Sequence, residues 1–162
     1  MTTRSSQAKK TKTSTTKKVR ADVVPPSERR TKVVEGTVKE FLESYGDALS
    51  AGHGEHVAEM WEVPAYVLAD ADARVVSGAD EVAKFFSSAH EAYAAHGIVS
   101  TFPEIQNEFW FTERLVSVDV RWPRVDARGA EVGHELATYI LRLDDEGMPR
   151  IRIAIMHGET SR

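Results

Sequence analysis

From Val34 the chain places Val38, Phe41, Leu42, Tyr45, Ala48 and Leu49 at the i, i+3, i+4, i+7 spacing of one buried helical stripe. Gly52 ends that helix. A short second helix carries Val57, Met60 and Trp61 on one face, and Pro64 stops it before a hairpin formed by Tyr66–Leu68 and Arg74–Val76. Ser77 or Asp80 caps a third helix with the stripe Val82, Phe85, Phe86, Ala89 and Tyr93, and Gly97 closes it. Beyond Gly97 the period shortens. Residues 98–111, 113–124, 132–143 and 149–157 alternate or run apolar, separated by "TER", "DARGAE" and "DDEGMP", which are turn-type clusters.

Three helices and a small hairpin followed by a meander of long strands define an α+β fold, with helices packed on a curved, mostly antiparallel sheet. A turn at Asp126–Gly129 would set Val116, Val118, Val120 and Trp122 opposite Ile140, Thr138, Leu136 and His134 on one face. The other face would hold Ser117, Asp119 and Arg121 opposite Tyr139, Ala137 and Glu135, joined by Ile151, Ile153, Ile155 and His157. Both faces carry apolar side chains, and the helices can cover only one. A second subunit is the simplest cover for the other, so a homodimer through the sheet is expected.

Composition adds one division. Residues 1–32 hold ten Lys and Arg against Asp22 and Glu28, while the chain as a whole has a net charge of -4, so the remainder is strongly acidic. The basic stretch is rich in Ser, Thr and Lys, lacks an apolar stripe and contains Pro25-Pro26, and a disordered tail over 1–32 ahead of a folded domain over 33–162 is expected. No apolar run reaches the roughly 20 residues of a membrane helix, and the N-terminus has no signal-peptide pattern, so a cytoplasmic protein without membrane contact is expected. The chain has no Cys, which excludes disulfides and thiolate chemistry. His53, His56, His96 and His134 share no ligand spacing, and neither a metal nor a cofactor is expected. There is also no glycine-rich phosphate loop and no serine nucleophile elbow.

This layout resembles the nuclear-transport-factor-two-like superfamily, which includes ketosteroid isomerases and SnoaL-like polyketide cyclases, over residues 33–158. The stretch "YGDALSAGHGEHVAEMW" (45–61) is similar to the tyrosine-bearing first helix, glycine turn and second helix of the isomerases, and "YILRLDDEG" (139–147) to a later strand and turn. The resemblance implies that Tyr45 stands where the family keeps an oxyanion-hole tyrosine. It also implies that Tyr139 replaces that family's second, protonated-aspartate donor; two phenols in one cup could hold a carbonyl or enolate oxygen. The family's proton-shuttling carboxylate falls on Ala69, with Asp70 one residue on, and a one-residue shift in a strand turns a side chain to the opposite face.

Asp119 is the other candidate acid or base, beside Arg121 and His157 on the face assigned to Tyr139. Trp61, Tyr66, Phe86, His90 and Trp110 are expected to line the pocket with them. The reading is a cup for a small, largely apolar carbonyl-bearing or polycyclic ligand, with isomerase- or cyclase-type acid-base activity as its enzymatic version. The alternative is a dimeric scaffold whose basic tail contacts nucleic acid or an acidic partner.

Overall fold

The computed structural model describes residues 26–161, with side chains from 37 to 158. Residues 1–25, most of the basic tail, lie outside the described residues. Among the described residues the chain forms α1 (Pro26–Ala51), α2 (Gly54–Glu59), β1 (Trp61–Ala69), β2 (Ala73–Val76), α3 (Ala79–Ala95), β3 (Ile98–Thr101), β4 (Glu104–Thr112), β5 (Leu115–Asp126), β6 (Glu131–Leu143) and β7 (Pro149–Ser161). They build a seven-stranded sheet in the order β2-β1-β7-β6-β5-β3, with β4 continuing along the β5 edge. All neighbours are antiparallel except β1 and β7. The architecture is the expected α+β arrangement of helices on a mostly antiparallel sheet.

The α1 stripe is buried at Val38, Phe41, Leu42, Tyr45 and Ala48, and the helix stops before Gly52, whose φ of +70° favours glycine. Gly97 performs the same turn after α3, at φ +76°. Ser50 fixes α1 to β3: its Oγ donates to the Thr101 carbonyl at 3.0 Å and accepts from the Thr101 N–H at 2.9 Å. At the sheet's other end Arg142 pairs with Glu62 across β6 and β1, and its guanidinium holds the Glu62 carboxyl below its ordinary pKa.

Several boundaries differ from the sequence reading. The second helix ends at Glu59, so Met60 and Trp61 do not extend its face; Trp61 opens β1, which runs through Pro64 to Ala69. Pro64 sits where the pairing of β1 with β7 is interrupted between Trp61 and Tyr66, which is where a residue without an N–H is tolerated in a strand. Gly78, not Ser77 or Asp80, caps α3, and the Ser77 N–H is instead accepted by Glu81. The strand expected over 98–111 is broken between β3 and β4 at Phe102-Pro103.

The largest correction is register. Next to the turn, Val125 pairs with Glu131, as expected, but a bulge follows and Arg124 pairs with Gly133. From there Val116, Val118, Val120 and Trp122 face Leu141, Tyr139, Ala137 and Glu135, one residue away from the expected partners. A single extra residue, Val132, turns every later β6 side chain to the opposite face. Tyr139 therefore shares the inner, helix-covered face with Val118 and Trp122, while Asp119 and Arg121 pair with Thr138 and Leu136 on the outer face. A second irregularity, at Ile140/Leu141 against β7, splits the last strand: Ile151 is buried opposite Leu141, but Ile153 and Ile155 oppose Ile140 and Thr138 on the outer face.

Candidate functional site

Between the helices and the inner face of the sheet lies a cavity of about 280 Å³. Its floor comes from β5, β6 and β7 through Trp122, Tyr139, Ala154 and Met156; α1 and α3 roof it with Tyr45, Phe86 and His90. The aromatic rings interlock, with Tyr45 6.0 Å from Tyr139, 5.8 Å from Trp122 and 6.1 Å from Phe86 between centroids, all at steep angles. Trp61 completes the wall 6.0 Å from Phe86. At the exposed rim, the Arg74 guanidinium of β2 lies over the Phe85 ring of α3 at 5.0 Å. Phe85 was expected in the buried stripe of the third helix, but it is 49% exposed because α3 turns that position toward the opening.

Both phenols are buried, Tyr45 at 1% and Tyr139 at 5% exposure. Burial raises the Tyr45 pKa well above its ordinary value; Tyr139 adds to this, the Trp61 N–H opposes it, and the Glu135 charge adds further. Tyr139 is raised for the same first reason and by Glu135, with the Trp122 N–H opposing. The Trp61 and Trp122 indole nitrogens make no hydrogen bond of ordinary geometry, so their effect on the phenols is one of proximity. Both phenols thus stay protonated near neutral pH and can donate a hydrogen bond into the cavity.

Of the residues singled out from sequence, Tyr45, Tyr139, Trp61, Phe86 and His90 line this cavity. The others do not meet there. Asp70 is exposed in the β1–β2 turn. Asp119 accepts the Thr138 hydroxyl at 2.6 Å on the outer face, and Thr138 Oγ1 also lies 2.9 Å from His157 Nε2, so the three form a chain away from the cup. Arg121 pairs on that face with Glu104 at 2.7 Å and with Glu131. Tyr66, paired with Ile153, also points outward, and Trp110 packs against the core without reaching the cavity. The β6 bulge accounts for Asp119 and Arg121, because it separates them from Tyr139.

The sequence reading missed Arg124, Glu135 and Tyr93. Arg124 is 8% exposed on the inner face, Glu135 accepts the Tyr93 hydroxyl, and Arg124 Nη1 lies 3.8 Å from Glu135 Oε1. All three line the cavity. Continuing the β5 alternation two residues past Trp122 would have placed Arg124 on the inner face. Glu135 shares the β6 face of Tyr139 under either register, four residues before it, so that spacing was its signal; only its partners on β5 depend on the bulge. Among the described residues no cluster of His, Asp or Glu is arranged to hold a metal ion, and no helix is long and apolar enough to cross a membrane.

A cone of helices over a curved sheet, enclosing an aromatic cavity with a few polar groups, is the cup of the cystatin-like folds. The chain belongs to the NTF2-like protein family DUF6841, whose family model matches residues 34–159. It is similar in fold to a domain of unknown function with a cystatin-like fold from Nostoc punctiforme, with 20% identity, a TM-score of 0.62 and coverage of 77% of this chain and 76% of that one. An NTF2-like protein with a cystatin-like fold from Novosphingobium aromaticivorans gives 13% identity, a TM-score of 0.62 and coverage of 81% and 85%. A ketosteroid isomerase-like protein from Erwinia carotovora atroseptica gives 15% identity, a TM-score of 0.55 and coverage of 81% and 96%. No curated protein matches the sequence.

Proposed function

We propose that the cup binds a small, largely apolar, carbonyl-bearing ligand, with Tyr45 and Tyr139 donating hydrogen bonds to its oxygen, and that acid-base chemistry of the isomerase or cyclase type is the reaction such a site supports. The observation that carries this reading is that two buried, protonated phenols from α1 and β6 line one aromatic cavity. An apolar pocket with few convergent polar groups is the usual form of a small-ligand site, and about 280 Å³ stands near its lower size limit. The similarity to a ketosteroid isomerase-like protein agrees with this choice of chemistry.

Trp61 and Trp122 in the cavity wall provide the readout, because a ring system entering the cavity changes their fluorescence. Bicyclic ketones titrated into the protein are expected to quench it saturably. Tyr45→Phe and Tyr139→Phe should each weaken binding about 5- to 10-fold, the value of one net hydrogen bond of roughly 1 kcal/mol. Unchanged affinity in both variants would remove the phenols from ligand recognition and the reading with them.

The outer face supports a second element of this proposal. Tyr66 and Leu68 of β1, Ile153 and Ile155 of β7, Ile140 and Leu136 of β6 and Phe109 of β4 all point outward by register, and Tyr66 and Phe109 are 46% and 58% exposed. We propose that a second copy of the chain covers this apolar face, which a two-fold, self-complementary contact would pair with itself. Light scattering should then give twice the 18.0 kDa chain mass, and Ile153→Glu should halve it. A wild-type chain that runs as a monomer at all concentrations tested would refute the pairing.

A further inference from the structure

Resting on the cup reading above, we infer that Glu135 is the proton-transferring carboxylate of this site and that its substrate class is a compact two-ring ketone or enone with an acidic C–H near the carbonyl. Among the described residues the carboxylates lining the cavity are Glu81 and Glu135. Glu81 is exposed at the start of α3, where it accepts the Ser77 N–H, whereas the Glu135 side chain is only 17% exposed and lies opposite Trp122 on the inner face.

Its placement is that of an oriented carboxylate in the cavity wall. Tyr93 from α3 and Arg124 from β5 both address Oε1, which fixes the carboxylate from two elements. Glu135 stands four residues before Tyr139 on the same face of β6, about 13 Å along the strand at ~3.3 Å per residue. Both residues line the same cavity of about 280 Å³, so a compact ketone held by the phenols lies along β6 with its acidic C–H turned toward Glu135. The Glu135 charge is also felt by both phenols, so the three groups share one electrostatic environment.

The proposed step is balanced without an oxidant or a cofactor. The Glu135 carboxylate takes a proton from carbon beside the carbonyl; the C–H pair forms the new C=C bond as the C=O π pair moves onto oxygen. The Tyr45 and Tyr139 hydroxyls hold that oxygen. The protonated Glu135 then delivers a proton to carbon and regenerates the carboxylate: delivery to a conjugated carbon leaves an isomerised ketone, and delivery to the same carbon after the carboxyl proton has traded with solvent leaves an exchanged one. The Ala69 position needs no carboxylate in this scheme, because the base comes from the sheet floor and not from the hairpin.

The test uses the full chain and 2-tetralone, with proton exchange into heavy water followed by NMR and binding followed by tryptophan fluorescence. The expected result is exchange at the carbons flanking the carbonyl above the buffer rate, a loss of 100-fold or more in Glu135→Gln, and binding changed less than threefold. Glu135→Asp keeps the carboxylate and should retain part of the exchange. Tyr93→Phe separates positioning from chemistry: it should lower exchange without abolishing it. Normal binding with exchange unaffected in Glu135→Gln overturns the role of Glu135 and leaves the cup reading standing. If 2-tetralone and larger bicyclic ketones all fail to bind the wild-type chain, both the cup reading and this inference fall.

Discussion

Gly54→Ala is expected to destabilise the protein by about 3 kcal/mol, the upper end of the usual cost of overpacking. Gly54 opens α2 and is buried against α3, and a Cβ there would stand 2.4 Å from the Ala83 carbonyl oxygen and 2.4 Å from Ser87 Oγ. The serine can rotate aside. The carbonyl belongs to the α3 backbone and cannot, so α2 and α3 must separate. Because Phe86, His90 and Tyr93 of α3 line the cavity, the same change should weaken ligand binding. Gly78→Ala is the control: nothing lies within 4 Å of a Cβ there, and the residue is extended at φ -143°. The poorer N-cap and the reduced entropy of the unfolded chain offset one another, and a net change within about 0.5 kcal/mol is expected. Urea unfolding with unchanged m-values would measure both. A midpoint for Gly54→Ala equal to wild type would show that the α2–α3 contact is looser than the structure has it.

The elements were legible in the sequence because their signals are local. The α1 stripe, the glycine stops at Gly52 and Gly97, and the turn clusters between β4, β5, β6 and β7 each follow from a few adjacent residues. The resemblance to the superfamily was legible for the same reason, since it rests on helix and strand order. The site was legible at its helical residues Tyr45, Phe86 and His90 and at Trp61 and Tyr139, but not at the other strand residues. Tyr45 belongs to a stripe whose period fixes its direction, and Trp61 and Phe86 keep large rings in the core under any register. Strand residues depend on pairing, and one bulge at Val132 moved Tyr139 and Glu135 to the inside while Asp119 and Arg121 stayed outside. A bulge costs little and leaves no strong compositional mark, so alternation alone could not reveal it. Uninterrupted alternation therefore points to Asp119, which lies on the outer side of the sheet.

Trp122 is where stability and ligand choice are expected to meet, and Trp122→Ala should cost about 4 kcal/mol, within the range for removing a buried aromatic ring. The indole is 4% exposed, stacks edge-on with Tyr45 and Tyr139 at 5.8 and 6.4 Å, and lies 3.1 Å from where a Gly46 Cβ would be. Its removal extends the cavity along the floor toward α1. A two-ring ketone should then bind more weakly, because it loses wall contacts, while a three-ring ketone should gain relative to it. Trp122→Phe separates the causes: it retains most of the apolar packing, removes the indole N–H beside Tyr139, and should cost about 1–2 kcal/mol with little change in size preference. Thermal unfolding measures the first effect and competition between two- and three-ring ketones the second. A large stability loss with no shift in size preference would mean that the ligand does not lie along the β5–β6 floor, and the orientation assigned to it between Tyr139 and Glu135 would have to be abandoned.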